Sequence, residues 1–113
     1  KERFPEIEVL AVGANSTATG AMLRAGADQA ATGENAVLVA SRRADVIMGP
    51  IGIVIADAML GEITPVMAAA AGQSEAKRIL LPVGQCDNII AGVRDMPMAK
   101  MVQEAVELLA GWL

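Results

Sequence analysis

The side chains that could bind a ligand follow a short apolar run near the middle of the chain. Gly49, Pro50, Ile51 and Gly52 end this run, and Glu62 precedes the next helix start. Ligands of open α/β sheets bind outside the carboxyl ends of the strands, where the N–H groups of helix starts attract anions. Residues 49–52 are therefore predicted to contact a phosphate or a ribose through their backbone. A tight turn that simply requires glycine is the alternative.

Two carboxylates in the same stretch are the candidates for catalysis. Glu62 lies in a loop that should face the crevice, where it can bond a ligand hydroxyl or act as a base. Asp57 is the only polar side chain of a predicted helix, Ile53–Leu60. Burial in that helix would require a partner for its charge. The alternatives are an Asp57 that reaches water at the helix edge and a Glu62 with no role in chemistry.

A second polar turn follows the first apolar run of the chain and reads Gly13-Ala14-Asn15-Ser16-Thr17. In dinucleotide-binding folds an acidic residue near this point often bonds the adenosine ribose. Asn15 and Ser16 stand here instead, which suits a phosphorylated ribose or a mononucleotide better than NAD. Gly13, Asn15 and Ser16 are therefore predicted cofactor contacts. A helix cap made by Asn15 or Ser16 is the structural alternative.

Composition excludes several kinds of chemistry. Histidine is absent and Cys86 is the single cysteine, which removes Ser-His-Asp and Cys-His nucleophiles and the usual zinc sites. We predict no metal site. Cys86, next to Asp87, would act as a nucleophile only with help from a helix dipole or a nearby cation. The alternative is an inert thiol.

Charge and hydrophobicity limit the partners. The net charge is −4 and aromatic residues make up 2%, so neither a basic surface nor stacking residues favour nucleic acid. No apolar run reaches the length of a membrane span, and we expect a cytoplasmic protein. Hydrophobic residues make up 54% of a small chain. That share exceeds what one domain can bury and favours self-association, with a homodimer as the expected state.

Strand-like and helix-like stretches alternate along the chain, and we predict one α/β domain over residues 1–113. The clearest amphipathic pattern is the last helix. The strand at 27–32 is a short, ambiguous edge strand, and the last two strands are close enough to pair as a hairpin. The predicted strands are Ile7–Gly13, Ala27–Thr32, Val46–Gly49, Arg78–Val83 and Ile89–Val93; the predicted helices are Ser16–Ala25, Glu34–Arg43, Ile53–Leu60, Pro65–Ala71 and Pro97–Leu113.

This alternation predicts a three-layer, Rossmann-like fold with a mostly parallel sheet. In the strand order 3-2-1-4-5-6 of dinucleotide-binding folds, Ile7–Gly13 would be the second strand and Val46–Gly49 the fourth. The first strand would lie between them, and its absence would leave two rows of unpaired backbone groups. A sheet split in this way should not be stable. We therefore expect a strand and a glycine loop ahead of Lys1, although a different strand order is the alternative.

Five blocks between residues 4 and 83 read FPEIEVLAVG, AMLRAGAD, ATGENAV, ADVIMGPIGIVIADAMLGEITPVMA and KRILLPV. These blocks are similar to an uncharacterised bacterial family known as domain of unknown function 3842, most specifically in ATGEN and in GPIGI with MLGEITP. The similarity covers nearly the whole chain. The resemblance implies a Rossmann-like fold and a short first strand with a glycine-rich loop, and it carries no established activity.

Three functions are compatible with the sequence. The first is a nucleotide- or dinucleotide-binding protein with a binding or regulatory role. The second is a small NAD(P)-dependent enzyme in which Glu62 and Asp57 assist. The third is a homo-oligomeric structural protein without a ligand, assembled through apolar surface that includes the last helix. A Rossmann-like fold hosts many functions and does not choose among them.

Overall fold

A computed structural model describes residues 4–83 and 88–113. Within these residues it has four short β-strands, four α-helices and one 3-10 helix. In chain order they are β1 (Leu10–Gly13), α1 (Ser16–Arg24), β2 (Gln29–Thr32), α2 (Glu34–Arg43), β3 (Val46–Pro50), the 3-10 helix (Ile51–Val54), α3 (Pro65–Gln73), β4 (Lys77–Leu81) and α4 (Met98–Ala110).

The strands form two separate parallel pairs. β1 pairs with β2, with Leu10 opposite Gln29, and β3 pairs with β4, with Val46 opposite Lys77. These are the neighbours that the predicted order assigns to its second and third strands and to its fourth and fifth. A single continuous sheet, by contrast, is not seen among the described residues, because no described strand joins β1 to β3. The protein is therefore α/β with parallel strands, divided between two two-stranded sheets.

Helices hold the two strand pairs in one body. The prediction that a split sheet should not be stable left these helix contacts out of account. α2 packs against β1 and β2 and also against α3, which in turn packs on the 3-10 helix after β3. Ile63, Met67 and Ala68 form a buried cluster there, covered in part by Ala14 after β1. The Ser74 hydroxyl also donates to the Ser41 carbonyl across the far ends of the two helices, at 2.6 Å.

Local capping signals start two of the helices where the sequence predicts. The Asn15 side chain accepts a hydrogen bond from the Ala18 N–H at 2.9 Å and caps α1. Thr64 caps α3 in the same way through the Met67 N–H, with Pro65 at the first helical position. Each cap satisfies a backbone donor that the first turn of a helix leaves unpaired.

The predicted helix Ile53–Leu60 is wrong. The chain makes the 3-10 helix and then a closed turn, in which Asp57, Met59 and Leu60 have φ of 65°, 58° and 56°. Hydrogen bonds from the Asp57 N–H to the Ile63 carbonyl and from the Ile63 N–H to the Ala58 carbonyl close this turn. The hydrophobicity of the stretch favoured a buried helix. Instead, these hydrogen bonds join its backbone to Ile63, which is part of the buried cluster.

The predicted strand Ile89–Val93, and with it the C-terminal hairpin, is also wrong. This segment contains a turn at Gly92, whose φ is 83°, and β4 pairs only with β3 among the described residues. The predicted loop residues Cys86 and Asp87 lie outside the described residues. The last helix is confirmed as α4, which packs on β4 through Ala105 and sets the Trp112 ring 4.9 Å from the Lys77 ammonium. Within the described residues, none of these helices has the length and hydrophobicity needed to cross a bilayer.

Leu60→Gly is expected to stabilise the protein. Leu60 is fully exposed and has a left-handed φ of 56°, so glycine removes backbone strain without removing packing. The free energy of unfolding should rise by about 1 kcal/mol in urea denaturation followed by circular dichroism. The same change at the exposed helical residue Val66 should lower it. A loss of stability in Leu60→Gly would mean that the turn is not strained.

Candidate functional site

The carboxyl ends of β1 and β2 and the turn after β3 meet at one edge of the protein. The Asn15 side-chain amide, just after β1, donates to the Glu62 Oε2 at 2.9 Å. Both side chains are exposed. Parallel strands place the residues that follow them at the same edge, and this hydrogen bond joins residues that are 47 positions apart. Asn15 and Glu62, predicted separately as ligand contacts, are therefore neighbours.

A second hydrogen bond joins the same turn to the end of β2. The Thr64 hydroxyl donates to the Glu34 Oε2 at 2.7 Å, while Thr64 also caps α3. The segment from Glu62 to Thr64 thus contacts the starts of both α1 and α2. Glu34 was not predicted as a site residue. Its position in ATGEN, two residues after the end of a predicted strand, was the available signal.

Three helix N-termini converge on this edge, because α1, α2 and α3 all begin there. Each terminus carries a partial positive charge and unpaired N–H groups. The side chains of Asn15 and Thr64 each accept a hydrogen bond from one of these N–H groups, at α1 and at α3. The start of α2 has no side-chain cap, because its N-cap is Gly33. Backbone donors at α2 thus lie in the same turn as the exposed carboxylate of Glu34, and the exposed Glu62 is bonded to Asn15 at the start of α1.

Gly13 allows β1 and α1 to approach closely. A side chain on Gly13 would overlap the Thr19 hydroxyl, and its Cβ would lie 2.7 Å from the Thr19 backbone nitrogen. Thr19 is buried, donates to the Asn15 carbonyl and accepts a hydrogen bond from the Thr32 hydroxyl at 2.8 Å. Gly13 therefore has a structural reason for being glycine.

The predicted contacts at residues 49–52 lie in β3 and in the 3-10 helix that follows it. Gly49 lies beside Ile53, one residue before Pro50 ends β3. The 3-10 helix begins at Ile51, and Gly52 is buried within it. Among the described residues, no hydrogen bond joins residues 49–52 to Asn15 or Glu62. A Cβ on Gly49 would lie 3.3 Å from the Ile53 side chain, so packing accounts for this glycine.

Two predicted roles change with the structure. Ser16 is the exposed first residue of α1, and Asn15 rather than Ser16 is the cap. Asp57 is exposed in the closed turn, so the premise of a carboxylate buried in an apolar helix is wrong. Of the two carboxylates proposed for chemistry, only Glu62 is hydrogen-bonded to Asn15.

Two cavities lie away from this edge. One of about 460 Å³ is between β4 and α4 and is lined mainly by apolar side chains, with Arg94 and Glu104 among them. Another of about 700 Å³ lies between the ends of α2 and α3, near Ser41 and Ser74. Neither is lined by a residue that the sequence predicts as a ligand contact. The described residues contain no cluster of three or more acidic or cysteine side chains able to hold a metal ion.

These features define an α/β protein with parallel strand pairs and a polar edge at the carboxyl ends of β1 and β2. Residues 1–113 match the profile of the family described as a domain of unknown function (DUF3842), and the chain belongs to that family. This confirms the similarity seen in the sequence blocks. No curated protein and no solved structure matches the chain.

Proposed function

We propose that this protein binds a nucleotide, with the ligand at the edge where Asn15 and Glu62 meet. The observation that carries the proposal is the hydrogen bond between these two side chains. It brings together a polar group from the turn after β1 and one from the turn before α3, at the edge where parallel α/β sheets bind their ligands. The role is binding or regulation rather than a defined reaction.

Each part of such a ligand has a suitable contact. Glu62 has a second carboxylate oxygen that can accept a hydrogen bond from a ribose hydroxyl. The uncapped start of α2 at Gly33 offers backbone N–H groups to a phosphate. A single phosphate suits this edge better than a polyphosphate, because Glu34 and Glu62 place negative charge beside it.

A thermal-shift screen with AMP, ATP, NAD and NADP tests the proposal. A ligand present at one hundred times its Kd should stabilise the fold by about 2.7 kcal/mol. Glu62→Gln should weaken binding of the ligand found by about tenfold or more, because a charged acceptor becomes a neutral amide. Glu75→Gln, an exposed change in the turn before β4, is the matched control and should leave Kd unchanged.

Asn15→Ser separates ligand binding from folding. Serine retains a cap oxygen for α1 but cannot donate to Glu62 as the Asn15 amide does. Affinity should fall while the melting temperature of the free protein changes little. The proposal fails if none of the four nucleotides shifts the melting temperature, or if binding is the same in the Glu62→Gln protein.

A second function, assembly of identical subunits, is favoured by α4. Met98, Val102 and Leu108 on this helix are 55%, 44% and 56% exposed, and exposed apolar groups often mark interfaces. We predict a dimer mass in light scattering with size-exclusion chromatography. Val102→Glu should convert the dimer to a monomer, whereas Gln103→Glu, on the adjacent exposed position, should not. A monomer at all concentrations would exclude this function.

A further inference from the structure

The cavity of about 460 Å³ lies between β4, α4 and the segment that leads into α4. Ile79 on β4 and Ala105 on α4 are its most buried lining residues, at 5% and 4% exposed. Leu81 and Met101 extend its apolar wall. Ligand pockets have volumes of roughly 300–1,000 Å³, mostly apolar linings and a few polar groups that orient the ligand. This cavity has the size and the lining of such a pocket.

One face of α4 supplies both apolar and charged groups to the cavity. Met101 and Ala105 are four residues apart and therefore lie on the same face of the helix. Glu104 is three residues after Met101, so it borders that face and also lines the cavity. α4 packs on β4 through this face. The small side chain of Ala105 leaves space between the helix and the strand.

Two residues of opposite charge line the cavity, Arg94 ahead of α4 and Glu104 within it. Both are exposed. Within residues 4–83 and 88–113, no ion pair or hydrogen bond joins these two side chains. Each therefore keeps its capacity to bond a ligand. A guanidinium donates to a carboxylate, and a carboxylate accepts from an ammonium group.

We propose that this cavity binds an aliphatic α-amino acid, with its carboxylate at Arg94 and its ammonium at Glu104. The aliphatic side chain enters the space between β4 and α4. No aromatic residue is among those that line the cavity, so the lining suits an aliphatic group rather than a stacked ring. This site is separate from the edge formed by Asn15 and Glu62 and does not depend on the nucleotide proposal.

A ligand with a single charge fits this cavity less well. A fatty acid would bond Arg94 but would bring a second negative charge towards Glu104. An alkyl amine would bond Glu104 but would bring a second positive charge towards Arg94. Like charges repel and opposite charges attract. A zwitterion with an apolar body is the class of small molecule that satisfies both residues and the apolar lining.

A titration of the isotope-labelled protein with leucine, followed by two-dimensional NMR, tests the site. Isocaproate and isoamylamine are the matched ligands, because each has the aliphatic body of leucine with only one of its two charges. Leucine should shift the amide signals of Ile79, Leu81 and Ala105. Each ligand with a single charge should bind at least about fivefold more weakly, since it loses a charge-assisted hydrogen bond.

Arg94→Gln and Glu104→Gln test the two contacts separately. Each should weaken leucine binding about fivefold, because a charged partner becomes a neutral amide. Arg94→Gln should not weaken isoamylamine binding, and Glu104→Gln should not weaken isocaproate binding. Lys100→Gln and Asp95→Asn are the controls, since these exposed residues lie in the same part of the chain but do not line the cavity. Both controls should keep the affinity for leucine.

Three results would overturn the proposal. The first is the absence of any shift with leucine at millimolar concentration. The second is an affinity for isocaproate or isoamylamine equal to that for leucine, because one of the two charged contacts would then be missing. The third is a set of shifts confined to the surroundings of Asn15 and Glu62, which would place the amino acid at the other edge of the protein.

Discussion

Gly13→Ala is expected to lower the free energy of unfolding by about 3 kcal/mol, at the upper end of the usual cost of overpacking. The new Cβ would overlap the Thr19 hydroxyl and lie 2.7 Å from the Thr19 backbone nitrogen. A flexible side chain could move aside, but a backbone atom in the first turn of α1 can move only with the helix. The change should therefore displace α1 from β1. Urea denaturation followed by far-UV circular dichroism measures the loss.

Gly20→Ala is the matched control, since it is the same substitution within α1. Its Cβ would contact only the tip of the Arg24 side chain, at 3.3 Å, and alanine favours helix over glycine by about 1 kcal/mol. Gly20→Ala should stabilise the protein or leave it unchanged. A Gly13→Ala protein as stable as the wild type would show that β1 and α1 are not in close contact.

Met67→Ala is expected to lower the free energy of unfolding by about 3 kcal/mol, because it removes a buried side chain and leaves a cavity. Met67 is 4% exposed and packs with Ile63 and Ala68. This cluster holds the turn that carries Glu62 against Ala14, next to Asn15. The substitution should therefore weaken both the fold and the nucleotide affinity.

Val66→Ala is the control for Met67→Ala. It lies one residue earlier in α3 and is 49% exposed, so it should change stability by less than about 0.5 kcal/mol. Equal losses in the two variants would show that the cluster does not stabilise the protein. If Met67→Ala lowers stability but leaves ligand affinity intact, the turn keeps its position without the cluster.

Local signals in the sequence were sufficient for several elements. A cap for α1 at Asn15 or Ser16, a helix that begins at Pro65, and a helix at Glu34–Arg43 were predicted, and all three are confirmed, with Asn15 as the cap. Capping depends on a side chain and a backbone N–H two or three residues away. Such short-range chemistry can be read without knowledge of the fold.

Two predictions failed because hydrophobicity was used to assign secondary structure. Residues 53–60 are apolar and were predicted as a helix, but hydrogen bonds to Ile63 turn them into a closed, left-handed turn. Residues 89–93 are apolar and were predicted as a strand, but the chain turns there at Gly92. A short apolar run determines neither the backbone conformation of a segment nor its burial, since Leu60 and Ile89 are exposed.

The polar edge was predicted only in part, because its contacts are long-range. The sequence alone determined that the chain is α/β, that most of its strands run parallel, and that Asn15 follows the end of the first of them. Only the tertiary structure decided that the side chains of Asn15 and Glu62 meet, that Thr64 donates to Glu34, and that no described strand joins β1 to β3. Strand composition reports burial, whereas which strands pair depends on how α2 and α3 pack, and residues far apart in sequence set that packing.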